Sequence, residues 1–231
     1  MAVLVHSSDI HVDDAGADGY HSGNRGLRGV LRTAADVGAD LVLLAGDTFD
    51  NPRVSDAVLR ETAALLEGAG RPVVMLPGNH DPLLERCIFR RAGLDAMAHV
   101  RIFGIDAEDV MAFAALGLEI SGKPHRSFEN MVPFHPPRPR RARFHVVMAH
   151  GHYVPPQDWA DQAHRSWLIS DAALAETGAD YIALGHWDRA TQAGDGRVAA
   201  YYSGSPKLAG TVNVVRLGQQ MEVERVAVRW E

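Results

Sequence analysis

Five short segments of this 231-residue chain concentrate carboxylate, amide and imidazole donors. They are Asp9-Ile10-His11, Gly46-Asp47-Thr48-Phe49-Asp50, Gly78-Asn79-His80-Asp81, His150-Gly151-His152 and Gly185-His186-Trp187-Asp188. Oxygen and imidazole donors without thiolate suit Mn, Fe or Zn, and the single cysteine, Cys87, lies in none of the five. Asp9 and His11 stand two apart, so in extended backbone both point to one side and can grip one ion. Asp47 can bridge two ions, while Asn79 offers an amide oxygen and His150 and His186 offer imidazoles to the second. Two ions about 3.5–4 Å apart clamp a phosphoryl group and deliver a bound hydroxide in line with the leaving oxygen. His80, beside Asn79, is placed to protonate the leaving alkoxide, with Asp50 as the carboxylate that orients it.

The elements that would carry these donors are legible as apolar runs. Residues 2–6, 41–45, 72–76, 144–148 and 181–184 are short and apolar, and each runs into one of the five segments. Such runs read as buried strands, and sites form at the carboxyl ends of strands in open α/β sheets. Helical stripes at 27–37 and 54–66 separate the first three strands, which predicts parallel pairing through right-handed crossovers. Further strands are expected at 100–103 and 118–120, a helix at 170–176, and antiparallel strands in the tail at 201–202, 212–217 and 223–228. The Pro- and Arg-rich stretch 133–143 reads as an exposed loop. One α/β domain spanning 1–231, with two packed sheets, is the expected organisation.

Composition narrows the function classes. Twenty-three basic against 29 acidic residues give a net charge of −6, which argues against broad attraction to nucleic acid or anionic membranes. One cysteine excludes an internal disulfide framework. The longest apolar runs fall far short of the ~20 residues of a membrane span. No signal peptide is apparent at the N-terminus, so a cytoplasmic location is expected. Twelve histidines are the unusual feature.

The ordered set Asp9-x-His11, Gly46-Asp47-x-x-Asp50, Gly78-Asn79-His80-Asp81, His150-Gly151 and Gly185-His186 resembles the calcineurin-like metallophosphoesterases. Within that superfamily, Gly46 to Asp50, Tyr181 to His186 and Ser203-Gly204-Ser205-Pro206 look like the SbcD-type DNA-repair exonucleases. The resemblance implies a four-layer α/β/β/α sandwich of two mixed sheets flanked by helices. It also implies a dinuclear metal centre and phosphoester hydrolysis. One position departs from the pattern: Gly185-His186-Trp187-Asp188 stands where the family usually has Gly-His-x-His. Asp188 is therefore expected to replace a histidine as ligand, which favours Mn or Fe over Zn.

Ordinary explanations compete with each element. His152 is expected either to contact substrate phosphate or to exchange roles with His150. His6, His21, His99, His125, His135, His145 and His164 are read as structural or surface histidines. Arg138, Arg140, Arg141 and Arg143 read better as a solvated loop than as a phosphate-backbone contact. Trp159 and Trp167 are expected in the core or a lid. The leading expectation is a metal-dependent phosphodiesterase. A DNA exonuclease of the SbcD type is the first alternative, although a DNA-capping domain and an ATPase-docking segment are not apparent. A catalytically silent interaction module of the same fold is the second. The partner is a phosphoester substrate, with nucleic acid among the candidates and no membrane; substrate identity and oligomeric state are left open.

Overall fold

In the computed structural model, which describes residues 1–14, 22–161 and 166–230, strand and helix alternate through the first half. They are β1 (Ala2–Ser7), α1 (Arg25–Asp36), β2 (Leu41–Ala45), α2 (Asp56–Glu67), β3 (Val73–Leu76), α3 (Ile88–Arg91) and β4 (Val100–Ile102). Next come β5 (Val110–Phe113), β6 (Leu118–Gly122), β7 (Phe144–His150), β8 (His152–Tyr153), β9 (Leu168–Ile169), α4 (Asp171–Glu176) and β10 (Tyr181–Gly185). The remainder is β11 (Thr191–Ala193), β12 (Ala199–Tyr202), α5 (Pro206–Ala209), β13 (Thr211–Leu217) and β14 (Met221–Ala227).

Local chemistry sets the helix boundaries. Ser55 caps α2 by accepting from the Val58 amide, and Ser170 caps α4 by accepting from the Ala173 amide, each satisfying a donor that the first turn leaves unpaired. Helix α1 buries Leu27, Val30, Leu31 and Ala34 along one stripe. It ends at Gly38, whose φ of +64° lets the chain reverse while the Ala39 amide bonds the Ala34 carbonyl.

Two six-stranded mixed sheets result. One has the order β14-β13-β1-β2-β3-β4, the other β11-β12-β10-β7-β6-β5. Strands β1, β2, β3 and β4 pair in parallel, as the crossovers require. Strand β13 runs antiparallel to β1 and to β14. The all-antiparallel tail expected from the sequence is corrected at β12, which pairs in parallel with β10 and antiparallel with β11. The excursion through β11 returns the chain in the direction of β10, a geometry that Gly-rich turns alone do not reveal.

Period-two alternation assigns each strand face to a layer. Val42 and Leu44 pack with Leu27, Val30 and Leu59 under α1 and α2. Leu41, Leu43 and Ala45 face the other sheet, meeting Val146, Met148, Tyr181 and Ala183. Both faces of β2 are thus covered, so all five residues are apolar and fully buried. Beyond the second sheet, Val147, Ile182, Leu184 and Tyr202 pack with Leu174 of α4. Helix, sheet, sheet and helix therefore stack in that order. Among the described residues no helix is long and apolar enough to cross a membrane.

Candidate metal centre

The carboxyl ends of β1, β2, β3, β7 and β10 converge on one edge, where Asp9, His11, Asp47, Asp50, His80, His186 and Asp188 all line a single cleft of about 570 Å³. The backbone there is strained. Of five non-glycine residues with positive φ among those described, four are Asp9 (+51°), His11 (+49°), Asp47 (+50°) and His186 (+104°). Such conformations persist only where the surroundings hold them, and they concentrate at functional sites. The expectation that Asp9 and His11 sit in extended backbone is therefore corrected. Strand β1 stops at Ser7, and the 9–12 loop lies beside the 46–49 loop instead. The Asp9, His11 and Val12 amides donate to the carbonyls of Gly46, Asp47 and Thr48 at 2.8–3.1 Å.

Glycines admit the donors. A Cβ on Gly46 would stand 2.0 Å from His150 Nδ1, and one on Gly185 would stand 1.9 Å from the Ala45 carbonyl oxygen. A Cβ on Gly78 would reach within 2.2 Å of Asp47 Oδ1. No side chain fits at any of the three, which ties the glycine of each motif to the ligand it borders.

Two groups of three side chains each bring their donor atoms within 4.8 Å of one another: Asp9, Asp47 and His150, and His11, Asp50 and His80. In the first group all three are buried. His150 Nδ1 donates to the Ala45 carbonyl at 2.9 Å, which turns Nε2 toward Asp47 Oδ2 at 3.1 Å and Asn79 Oδ1 at 3.0 Å. Asn79 Oδ1 also lies 3.1 Å from His186 Nδ1. The His186 amide donates to both oxygens of Asp9 at 3.0–3.1 Å. Asn79 and His186 thus complete a set of donors around Asp9, Asp47 and His150.

Electrostatics favour positive charge in this pocket. Burial would lower His150, yet the Asp47 and Asp9 carboxylates overcome it and hold the imidazole up at about 9. Burial raises Asp9, and the neighbouring Asp47 charge adds to that rise. For Asp47, burial is overcome by His150, so its carboxyl lies below the usual carboxylate range. Without a metal, Asp47 and Asp9 thus hold a proton on His150; a cation bound there would take that proton's place. Burial also lowers His186 to about 3, with the His150 charge adding to the effect. The ring is therefore neutral, the form that ligates metal.

The second group is more open: His11 and Asp50 are half-buried and His80 exposed. His11 Nδ1 faces Asp50 Oδ1 at 3.2 Å, and a proton held there leaves Nε2 as the ligating atom. The Asp50 carboxylate also accepts from Asn51 Nδ2 at 3.0 Å. Asp50 does hold His80, but through a different atom from the one expected: His80 Nδ1 donates to the Asp50 backbone carbonyl at 2.8 Å. The His80 amide donates to Asp47 Oδ1 at 2.8 Å, tying the two groups together. Asp188 lines the cleft and is exposed, outside both groups of three. The Ser205 amide donates to its carbonyl at 3.1 Å, so the Ser203–Pro206 turn fixes its backbone. His152 is half-buried; its Nδ1 accepts from Trp187 Nε1 at 3.1 Å, and its ring meets His186 edge-on.

Asp81 has a role that the sequence reading left unassigned. Fully buried, its carboxylate accepts from the Gly78 amide at 2.7 Å and the Phe49 amide at 3.0 Å, pinning the loop after β3 to the loop after β2. Burial, reinforced by the Asp47 charge, raises it to about 7. Its place as the last residue of Gly78-Asn79-His80-Asp81 was the available signal. Asn24 is a buried peg, its side-chain amide donating to the Val58 carbonyl and its oxygen accepting from Thr62 Oγ1.

The remaining histidines serve packing. His6 bonds the Tyr181 hydroxyl, His99 donates to the Leu66 carbonyl, and His125 donates to the carbonyl of His150. His145 bonds Ser121, and His135 lies 3.0 Å from Asp109. His21 and His164 lie outside the described residues. Arg138 pairs with Asp109, Arg140 with Asp180, and Arg143 stacks on Phe144. Three of the four loop arginines are thus engaged within the chain. Trp167 packs edge-on to His125 and His186, whereas Trp159 is exposed and not in the core.

Comparison with known proteins agrees with this geometry. The sequence profile of the calcineurin-like phosphoesterase family matches residues 2–189. The SbcD subunit of the SbcCD nuclease of Bacillus subtilis (strain 168) is 24% identical over 202 residues, covering 72% of this chain and 51% of that protein. The chain thus spans about half the length of this curated relative. The crystal structure of TT1561 of Thermus thermophilus superposes with a TM-score of 0.62 at 12% identity, covering 97% of this chain and 98% of its own. A second solved chain does so at 0.61 and 13%, covering 96% and 98%; at such identities these likenesses speak for the fold alone. A profile match over most of the chain, joined to ordered donors at the strand ends, makes this chain a member of the calcineurin-like phosphoesterase family.

Proposed function

We propose that the chain is a metal-dependent phosphoesterase, most simply a phosphodiesterase, with a dinuclear centre and a cytoplasmic location. The observation that carries this reading is the buried convergence of the Asp9, Asp47 and His150 donors, joined by Asn79 and His186, within reach of a bound cation. Asp9, His11 and Asp188 would hold one ion, Asn79, His150 and His186 the other, with Asp47 between them. An oxygen- and imidazole-rich donor set favours Mn or Fe over Zn. The two cations would polarise the phosphoryl oxygens and activate water for in-line attack on phosphorus.

The chain's own groups supply the rest. With Nδ1 committed to the Asp50 carbonyl, His80 turns Nε2 toward the cleft, where it protonates the leaving oxygen. The Asp50 carboxylate orients His11. Trp187 fixes the His152 ring with its proton on Nε2, a donor for a phosphate oxygen. The test is hydrolysis of bis-p-nitrophenyl phosphate before and after chelation, with elemental analysis of the same samples. The reading expects activity that disappears with the metal and returns with Mn; hydrolysis indifferent to chelation contradicts it.

A DNA exonuclease reading draws on the similarity to the SbcD subunit and on two cations in the cleft, Arg25 and Lys207. Metal-dependent degradation of linear duplex or single strands would support it, and cleavage of the small ester alone would remove it. An interaction module predicts instead that His80→Ala leaves function intact.

A further inference from the structure

The cleft has a second wall, remote in sequence from the donor segments. Arg25, Lys207, Leu208 and Trp230 line it opposite in character to the acidic donors. The Arg25 guanidinium lies over the Trp230 ring, 5.0 Å from its centroid. Leu208 is 62% exposed, a large apolar side chain left open inside a polar cleft. Lys207 Nζ stands 3.6 Å from Asp13, which keeps the ammonium at the cleft margin.

The segment carrying Trp230 is fastened in place. The Val228 amide donates to the Gly210 carbonyl, the Arg229 amide to Thr33 Oγ1 at 2.8 Å, and Arg32 Nη1 to the Trp230 carbonyl at 3.1 Å. Gly29 on α1 allows the approach, since a Cβ there would come within 2.6 Å of Val228 and 3.3 Å of Trp230 Cε3. The half-buried indole is thus anchored by its backbone, packed against the α1-side core and covered by Arg25, and it borders the cleft.

We propose that Trp230, Arg25 and Leu208 form a subsite for a planar aromatic group esterified to the phosphate, a nucleobase or a simple aryl ring. This rests on the hydrolytic reading of the same cleft and names its substrate class. The Arg25 guanidinium backed by the indole, with the apolar Leu208 beside it, suits a flat ring, and Lys207 supplies positive charge for the phosphate linkage. A purely aliphatic ester would gain nothing from such a wall.

The test is calorimetric binding of adenosine 5′-monophosphate, phenyl phosphate and ribose 5-phosphate to the Mn-loaded full chain, for wild type, Trp230→Ala and Trp230→Phe. The two aromatic ligands are expected to bind about tenfold tighter than ribose 5-phosphate, the worth of one stacked ring. Trp230→Ala should erase that difference and Trp230→Phe should keep most of it, which separates ring recognition from mere anchoring of the segment. Tighter binding of the adenosine ligand than of phenyl phosphate marks a nucleobase; equal binding of the two marks any aryl ring. Equal affinities for all three ligands in wild type, or an unchanged difference in Trp230→Ala, overturns the proposal. Wild-type hydrolysis of bis-p-nitrophenyl phosphate is measured separately. Its absence contradicts the hydrolytic reading and leaves the binding comparison readable.

Discussion

The two groups of donors at the strand ends differ chiefly in their access to water. Asp9, Asp47 and His150 are buried, whereas His11, Asp50 and His80 are more open to the cleft. In the buried group low dielectric magnifies each charge, and two carboxylates beside one histidine favour positive charge there. In the open group water screens the charges, and hydrogen-bond orientation decides what each ring can do. The contrast suggests a division of labour: the buried group favours fixed positive charge, while in the open group His11 would add a ligand and His80 handle a proton that must travel to and from solvent.

That division can be broken by substitution. Asp47→Ala should have the largest effect, abolishing both bound metal and hydrolysis, because Asp47 faces His150 and also fixes the His80 amide. Elemental analysis and the bis-p-nitrophenyl phosphate rate check it; retained metal would erase the distinction between the groups. His80→Ala should lower kcat by about 10²–10⁴-fold while metal content stays unchanged. Metal loss in that variant would show that His80 also grips. Asp188→Ala should remove about one ion per chain if it completes the outer half of a two-ion clamp. Asp81→Asn is expected to cost roughly 10–100-fold in activity or metal affinity, as for a group that orients ligands without touching metal.

The smallest expected effect lies outside both groups. Burial lowers His6 to about 3, below its value in the unfolded chain. Its unfolded form therefore binds the additional proton, and the stability that depends on neutral His6 is full above about pH 6.5 and declines as pH falls toward 3. Thermal unfolding of His6→Gln should lose less with acidification than wild type; identical pH slopes would remove His6 from the account.

The donors were legible in the sequence because each follows an apolar run, and the order of the runs specified parallel strands that end on one edge. Asp9, Asp47, Asn79, His150 and His186 meet there for that reason. Their atomic assignment was not legible. The Nδ1 of His150 is set by the carbonyl of Ala45, and His80 by the carbonyl of Asp50, groups that every residue carries and that no motif marks. The positive φ of Asp9 and His11 depends on pairing with the loop after β2, so extended backbone was the wrong local expectation. The parallel placement of β12 and the arrival of Trp230 in the cleft likewise depend on how distant segments pack.

Anomalous diffraction from crystals grown with Mn tests the central claim most directly. The account predicts two peaks on either side of Asp47, one beside Asp9, His11 and Asp188 and the other beside Asn79, His150 and His186. A map with no peak beside Asp47 would contradict it.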